Sequence, residues 1–307
     1  MHSFKTSFAL LASAALLAAP TAHASLNLVW TNINPDILET SELNGSNLKT
    51  LIDLDSALGN DTYVASGITS TDSHIYWVDN SLRSVYRSNL DGSSPVVFID
   101  LIGDLGLSAS NPLGLTSSGS HIYWTDSAQA AIYRSNLNVS SPSKLIDMNS
   151  AFGSGSPTGI TSTSSKLFWT DGFDFIYQSN LDGSSPVQLI DPNAVFGSGA
   201  YSLGGITADA SHLYWTDFDQ DAIFRSNLDG SSPIRLIDLD SDIAADSYFP
   251  LGIVATGSDL FWADINLDAI YTAKLDGSSP QKLVDASGSA RFITVATLLP
   301  EPSAAPA

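Results

Sequence analysis

Leu213–Leu239, LYWTDFDQDAIFRSNLDGSSPIRLIDL, carries a pattern that returns around every tryptophan of the chain. The six tryptophans, Trp30, Trp77, Trp124, Trp169, Trp215 and Trp262, lie 47, 47, 45, 46 and 47 residues apart. That regularity marks an internal repeat filling almost all of the 307 residues, which therefore read as one closed body rather than two domains. Each copy opens with a short apolar stretch: GIT at Gly67, GLT at Gly114, GIT at Gly159, GIT at Gly205 and GIV at Gly252. An aromatic strand follows, as IYWVD at Ile75, IYWTD at Ile122, LFWTD at Leu167, LYWTD at Leu213 and LFWAD at Leu260. Next come a strand such as AIFRSNL, an Asp-Gly turn, and a fourth strand such as PIRLIDL. Branched and aromatic side chains suit a pleated sheet, and Asp-Gly supplies the positive φ of a tight hairpin.

Four short strands per copy make one small antiparallel sheet. Its second and fourth strands are apolar on nearly every residue rather than alternating, so both faces must be covered by neighbouring sheets. Radial stacking of such sheets around an axis achieves this, and the expectation is an all-β, six-bladed β-propeller over residues 25–298. The first copy, Leu26–Asn32, begins directly at the aromatic strand, whereas Arg291-Phe292-Ile293-Thr294 matches the GIT strand and no tryptophan follows it. This C-terminal segment is predicted to enter the first blade as its innermost strand and close the ring.

The YWTD core, the Asp-Gly turn and the Gly-Ile-Thr strand together resemble the low-density lipoprotein receptor class B repeat, a family of six-bladed propellers. The resemblance implies structural roles for Asp79, Asp126, Asp171, Asp217 and Asp264, carboxylates that tie strands and neighbouring blades together. The first copy departs with Asn32 and an Asn44-Gly45 turn, and the third has Asn138-Val139 for Asp-Gly. The cysteine-rich modules that flank the propeller in animal receptors have no counterpart in this cysteine-free chain, so receptor function does not carry over.

Residues 1–24 combine Lys5, an apolar run from Phe8 to Ala19, Pro20 and Ala22-His23-Ala24, the pattern of a secretory signal cleaved before Ser25. The expected location is extracytoplasmic: secreted or periplasmic, at the cell surface or in a matrix. Pro300-Glu301-Pro302-Ser303 resembles the start of the PEP-CTERM sorting signal of Gram-negative bacteria, within a Pro/Ala tail over 299–307 read as disordered. Twelve Lys and Arg against 32 Asp and Glu give a net charge of −20, which argues against nucleic acid and anionic membranes as partners. The same acidity also serves solubility.

Residues that recur in every copy are explained by architecture before chemistry. No G-x-S-x-G elbow, H-E-x-x-H pair or phosphate loop occurs. His74, His121 and His212 share one slot, three residues before a tryptophan, and read as turn residues rather than as a metal triad. Asp238, Asp240 and Asp242 alternate like oxygen ligands, and with Asp246 they form a candidate Ca²⁺ site, although the EF-hand template fails at Ile243 and Phe249. What breaks the repeat is the set of connections between blades and the loops after WTD. These carry the candidate ligand-binding residues Tyr63, Phe173, Asp174, Tyr201, Asp219, Tyr248 and Phe249. Exposed aromatics among carboxylates suit a protein or polysaccharide ligand, including a basic one; the equal alternative is that these rings pack inward and plug the channel. The chain is accordingly read as a monomeric binding module in preference to an enzyme, with no cofactor required. A propeller lyase or lactonase with its site at the channel mouth is the first alternative, and a purely structural surface or matrix protein the second.

Overall fold

Every tryptophan lies on the second of four strands, and all six are buried to within 1% of full burial. The structure, a computed structural model, describes residues 24–59, 63–107, 109–138, 141–243 and 248–298. The expected secretory signal, save Ala24, and the Pro/Ala tail lie outside the described residues. Six four-stranded antiparallel sheets form the blades of a propeller. In the blade built from the opening stretch of sequence the strands are Leu203–Ala208, His212–Asp217, Ala222–Asn227 and Ile234–Asp238, in chain order from the axis outward. The remaining blade joins the two ends of the chain: Ser289–Leu298 pairs antiparallel with Ser25–Ile33, followed by Ile37–Glu42 and Lys49–Asp53. Leu28 faces Val295 and Trp30 faces Ile293 across that seam, so the C-terminal strand closes the ring as the repeat arithmetic predicts.

Packing within a blade is set by cross-strand ring pairs. Trp77 stacks on Tyr86 with centroids 5.5 Å apart, and Trp124 on Tyr133, Trp169 on Tyr177, Trp215 on Phe224 and Trp262 on Tyr271 repeat the arrangement at 5.5–5.7 Å. In the first blade the partner of Trp30 is Glu39, which accepts hydrogen bonds from Trp30 Nε1 and Asn32 Nδ2. The same buried carboxylate takes the Ser287 amide at 3.1 Å and the Ser287 hydroxyl, just before the closing strand. Glu39 thus fastens the two ends of the chain in the blade that lacks the usual aspartate.

Four of the repeated aspartates bond the connection between blades, and Asp171 holds only the turn after its own strand, through the Phe173 and Phe175 amides. Asp79 accepts from the Val64 and Leu82 amides, Asp217 from Ser202, Asp219 and Gln220, and Asp264 from Phe249, Asn266 and Leu267. Each pins the segment arriving from the preceding blade to the turn after its own strand. The next blade is reached instead by the threonine of the WTD triplet: Thr125 Oγ1 donates to the Thr158 carbonyl at 2.6 Å, Thr170 to Gly204 and Thr216 to Leu251, both at 2.8 Å. The hydroxyl can donate across the blade gap while accepting an amide of its own blade, which a carboxylate cannot do.

The connections between blades also hold short helical turns where the sequence reading has only loops. Leu54–Leu58, Leu101–Leu105, Met148–Phe152, Pro192–Phe196 and Leu239–Asp242 each follow a fourth strand, and the aspartate ending that strand caps the turn. The signal was present as Asp followed by Gly six residues later in four of them, at Asp53, Asp100, Asp147 and Asp191. Among the described residues no helix is long and apolar enough to cross a membrane.

Candidate functional site

The innermost strands converge on the axis through a shared irregularity. In the blades entered at Ala65, Pro112, Leu203 and Pro250, and again at the seam of the first blade, the register between innermost and aromatic strands slips by a bulge. Bulges re-aim side chains and recur beside functional sites. The residues in this interval, with Thr158 in the equivalent place, are Ser66, Leu113, Thr158, Gly204, Leu251 and Arg291, and all six line one cavity. Its volume is about 370 Å³, and its walls are completed on the WTD-loop side by Gly172, Phe218, Phe249, Ile265 and Asn266. A narrower space of about 120 Å³ continues along the axis, ringed by Thr69, Thr116, Thr161, Thr207 and Thr294. Phe292 lines both.

The next position of the repeat explains how the strands come so close. A Cβ on Gly67 would stand 2.2 Å from the Leu113 carbonyl, and one on Gly114 2.3 Å from the Thr158 carbonyl. Glycine is therefore imposed by the neighbouring backbone. On the closing strand this position is Phe292, and the position before it is Arg291, so the strand that completes the ring brings two residues foreign to the repeat to the mouth of the channel.

The mouth is mostly apolar, and of the polar side chains in its lining Ser66, Thr158 and Arg291 hold distinct states. Ser66 Oγ is fully buried and has no hydrogen-bond partner. Thr158 Oγ1 is engaged with Thr170 Oγ1 and the Leu203 carbonyl. Arg291 Nε is buried without a partner, and burial pushes the pKa of the guanidinium below its ordinary value. Phe218 and Phe249 stack at the rim, with centroids 4.3 Å apart and planes 15° from parallel.

The sequence-predicted site residues do not assemble as one exposed platform. Tyr63, Tyr201 and Tyr248 are 4%, 8% and 3% exposed. Tyr63 sets its edge on Tyr86 and Tyr248 on Tyr271, extending the buried ring pairs, while the Tyr201 hydroxyl donates to the Gly197 carbonyl. The connections turn these rings inward because each has an aromatic neighbour of the third strand or a carbonyl to meet. Phe173 is 61% exposed, Asp174 accepts from Asn193 Nδ2, and Asp219 accepts from the Ser202 hydroxyl. Of the seven residues, Phe249 lines the cavity, and Phe173 and Asp219 directly follow the lining residues Gly172 and Phe218. Reading the loops missed Ser66 and Arg291. The signal for Arg291 was the departure of Arg291-Phe292 from the Gly-Ile-Thr pattern, whereas Ser66 sits before an intact Gly67-Ile68-Thr69 and carried none.

Two of the four candidate calcium ligands take part in local turn bonds. Asp238 accepts the Ser241 amide and Asp242 the Asp238 amide, both as local turn bonds, and Asp246 lies outside the described residues. Among the described residues no group of three or more acidic or histidine side chains is arranged to hold a metal ion. The three histidines lie against Tyr76, Tyr123 and Tyr214, each with Nδ1 near the preceding serine hydroxyl.

Comparison with known proteins gives one family match, the low-density lipoprotein receptor repeat class B, over residues 211–253. No curated protein matches in sequence. Among solved structures, the nidogen/laminin complex contains a chain with 21% identity and a TM-score of 0.71, over 88% of this chain and 98% of that one. A streptogramin B lyase superposes with a TM-score of 0.55 at 16% identity, over 73% of this chain and 69% of the other. Regucalcin of Agrobacterium tumefaciens, a calcium-binding protein, gives 0.57 at 12% identity, over 75% and 77%. At these identities the likeness is one of fold, a six-bladed propeller related to YWTD repeats. It corrects the preference against an enzyme. Propellers superposable on this one include a lyase, so a repeat-built chain without motif-type catalytic residues is no argument against an active site.

Proposed function

We propose that the protein works through the mouth of its central channel, where it takes up a small organic molecule, in the way of a propeller lyase or lactonase rather than of a flat docking face. The observation that carries this reading is the cavity of about 370 Å³, apolar in most of its lining and entered by a few polar groups, which is the usual make-up of a small-molecule site. Rim rings Phe218 and Phe249 can cover an apolar body, and Arg291 is positioned to stabilise negative charge on oxygen, in a bound ligand or in one being cleaved. Export across the inner membrane, as the N-terminal pattern suggests, would expose the site to molecules outside the cytoplasm. Calcium has no part in the proposal, because none of Asp238, Asp240 and Asp242 lines the cavity.

The test is a thermal-shift screen of small organic molecules against the protein and against Leu113→Trp, which fills the mouth. Compounds that raise the melting temperature of the parent and leave the filled variant unmoved support the reading, and the same compounds then serve as substrates in a turnover assay. Equal shifts in both proteins would place binding elsewhere and refute it. A second reading, a protein partner on the loop face, draws on the superposition with the chain of the nidogen/laminin complex and on the exposure of Phe173.

A further inference from the structure

We propose that the molecule bound at the channel mouth is an organic acid, an apolar body bearing one carboxylate, and that Arg291 with the Ser66 hydroxyl recognises the carboxylate. This rests on the reading of the mouth as a small-molecule site and names the class of molecule it takes.

The first support is a buried guanidinium nitrogen with no acceptor. Lys144, Arg235, Lys274 and Lys282 all pair with aspartates. Arg291 makes no ion pair among the described residues, and its Nε is buried without any acceptor. Arg83, Arg87, Arg134 and Arg225 also make no ion pair among the described residues, so it is burial that sets Arg291 apart. A guanidinium whose Nε is buried without a partner is costly, and a carboxylate ligand would offset that cost through paired, charge-assisted hydrogen bonds. The second support is independent of charge. Ser66 holds the equivalent position on the adjoining blade, is 0% exposed, and has a hydroxyl with no partner. A buried hydroxyl is ordinarily satisfied, and an acceptor oxygen in the cavity would satisfy this one.

Architecture does not explain the arginine. The five equivalent positions hold Ser66, Leu113, Thr158, Gly204 and Leu251, all neutral. The ring can therefore be built without a charge there. The guanidinium fork matches a carboxylate in two parallel hydrogen bonds, and the surrounding Leu113, Leu251 and Phe249 supply an apolar surface for the rest of the molecule.

The experiment is calorimetric titration with 4-phenylbutyrate and its neutral counterpart 4-phenylbutanamide, on the parent protein, Arg291→Met, Arg291→Lys and Ser66→Ala. The parent should bind the acid at least about tenfold more tightly than the amide, the span of a charged hydrogen bond. Arg291→Met should bind both alike, Arg291→Lys should keep part of the preference, and Ser66→Ala should weaken the acid by several fold. Melting temperatures check that each variant folds, and the comparison of acid with amide on the parent requires no variant. Equal binding of acid and amide to the parent overturns this inference while leaving the small-molecule site standing. Binding of neither overturns both.

Discussion

At the scale of single residues, the stacked pair of a second-strand tryptophan and a third-strand ring is the unit of blade stability. Trp124 is fully buried against Tyr133 between neighbouring sheets that cannot collapse into its place. Trp124→Ala should cost about 3 to 5 kcal/mol, read as a lowered denaturant midpoint; a midpoint like the parent's would contradict the wedge. Tyr63 and Tyr248 belong to the same packing, so their double replacement by alanine should lower the melting temperature sharply. An unshifted melting temperature would return these tyrosines to the ligand face. Asp217 gives a pH signature. Burial raises its pKa to about 6, against the hydrogen bonds it accepts from three amides, and its Oδ2 has no donor and is free to carry the proton. Because the folded pKa lies above the unfolded value of 3.8, this group's contribution is full below that value and is lost as pH rises through about 6. The stability of the parent relative to Asp217→Asn should therefore fall, on the order of 3 kcal/mol, between pH 4 and 7. A pH-independent difference between the two proteins would show that Asp217 stays ionised throughout.

Among the elements, the closing strand Ser289–Leu298 does the most for its length. It supplies the inner edge of the first blade, brings Ser287 to Glu39, donates the Phe292 amide to the Thr31 hydroxyl, and carries Arg291 and Phe292 to the mouth. Without it the strand Ser25–Ile33 would present unpaired backbone groups to the axis. Removing residues 291–307 should give aggregation or a strongly lowered melting temperature, whereas removing 300–307 should leave stability unchanged. A cooperative, parent-like transition after the longer deletion would contradict closure. The hairpin turns show how much local chemistry the sequence displayed openly. In Asp91-Gly92-Ser93-Ser94 the aspartate accepts both the amide and the hydroxyl of Ser93, Gly92 sits at φ 81°, and a Cβ there would meet the Leu51 carbonyl at 2.5 Å. The positive φ of Ser94, 55°, had no such signal. Serine is merely tolerated in that conformation, so its type does not announce it.

For the whole molecule, blade number, strand order and the seam were legible because tryptophan spacing and the displaced Gly-Ile-Thr strand report topology directly. The site was legible only in part. Loop aromatics such as Tyr63 carry no mark of which way they turn, and here the third-strand rings draw them inward. Phe249 reached the mouth, as its place in an irregular connection suggests, but Ser66 sits inside a repeat slot and looks architectural until its hydroxyl is found without a partner. Arg291 was visible as the residue that replaces a neutral one in the closing strand, yet its meaning depends on the burial of its Nε without an acceptor, which only the folded chain reveals. The propeller thus joins a repetitive frame to a mouth made singular by its last strand. A crystal structure after soaking with small organic acids tests this most directly. Ligand density enclosed by Leu113, Leu251 and Phe249, with its carboxylate on Arg291, is the expected result; density confined to the outer loops around Phe173, with the mouth empty, would contradict it.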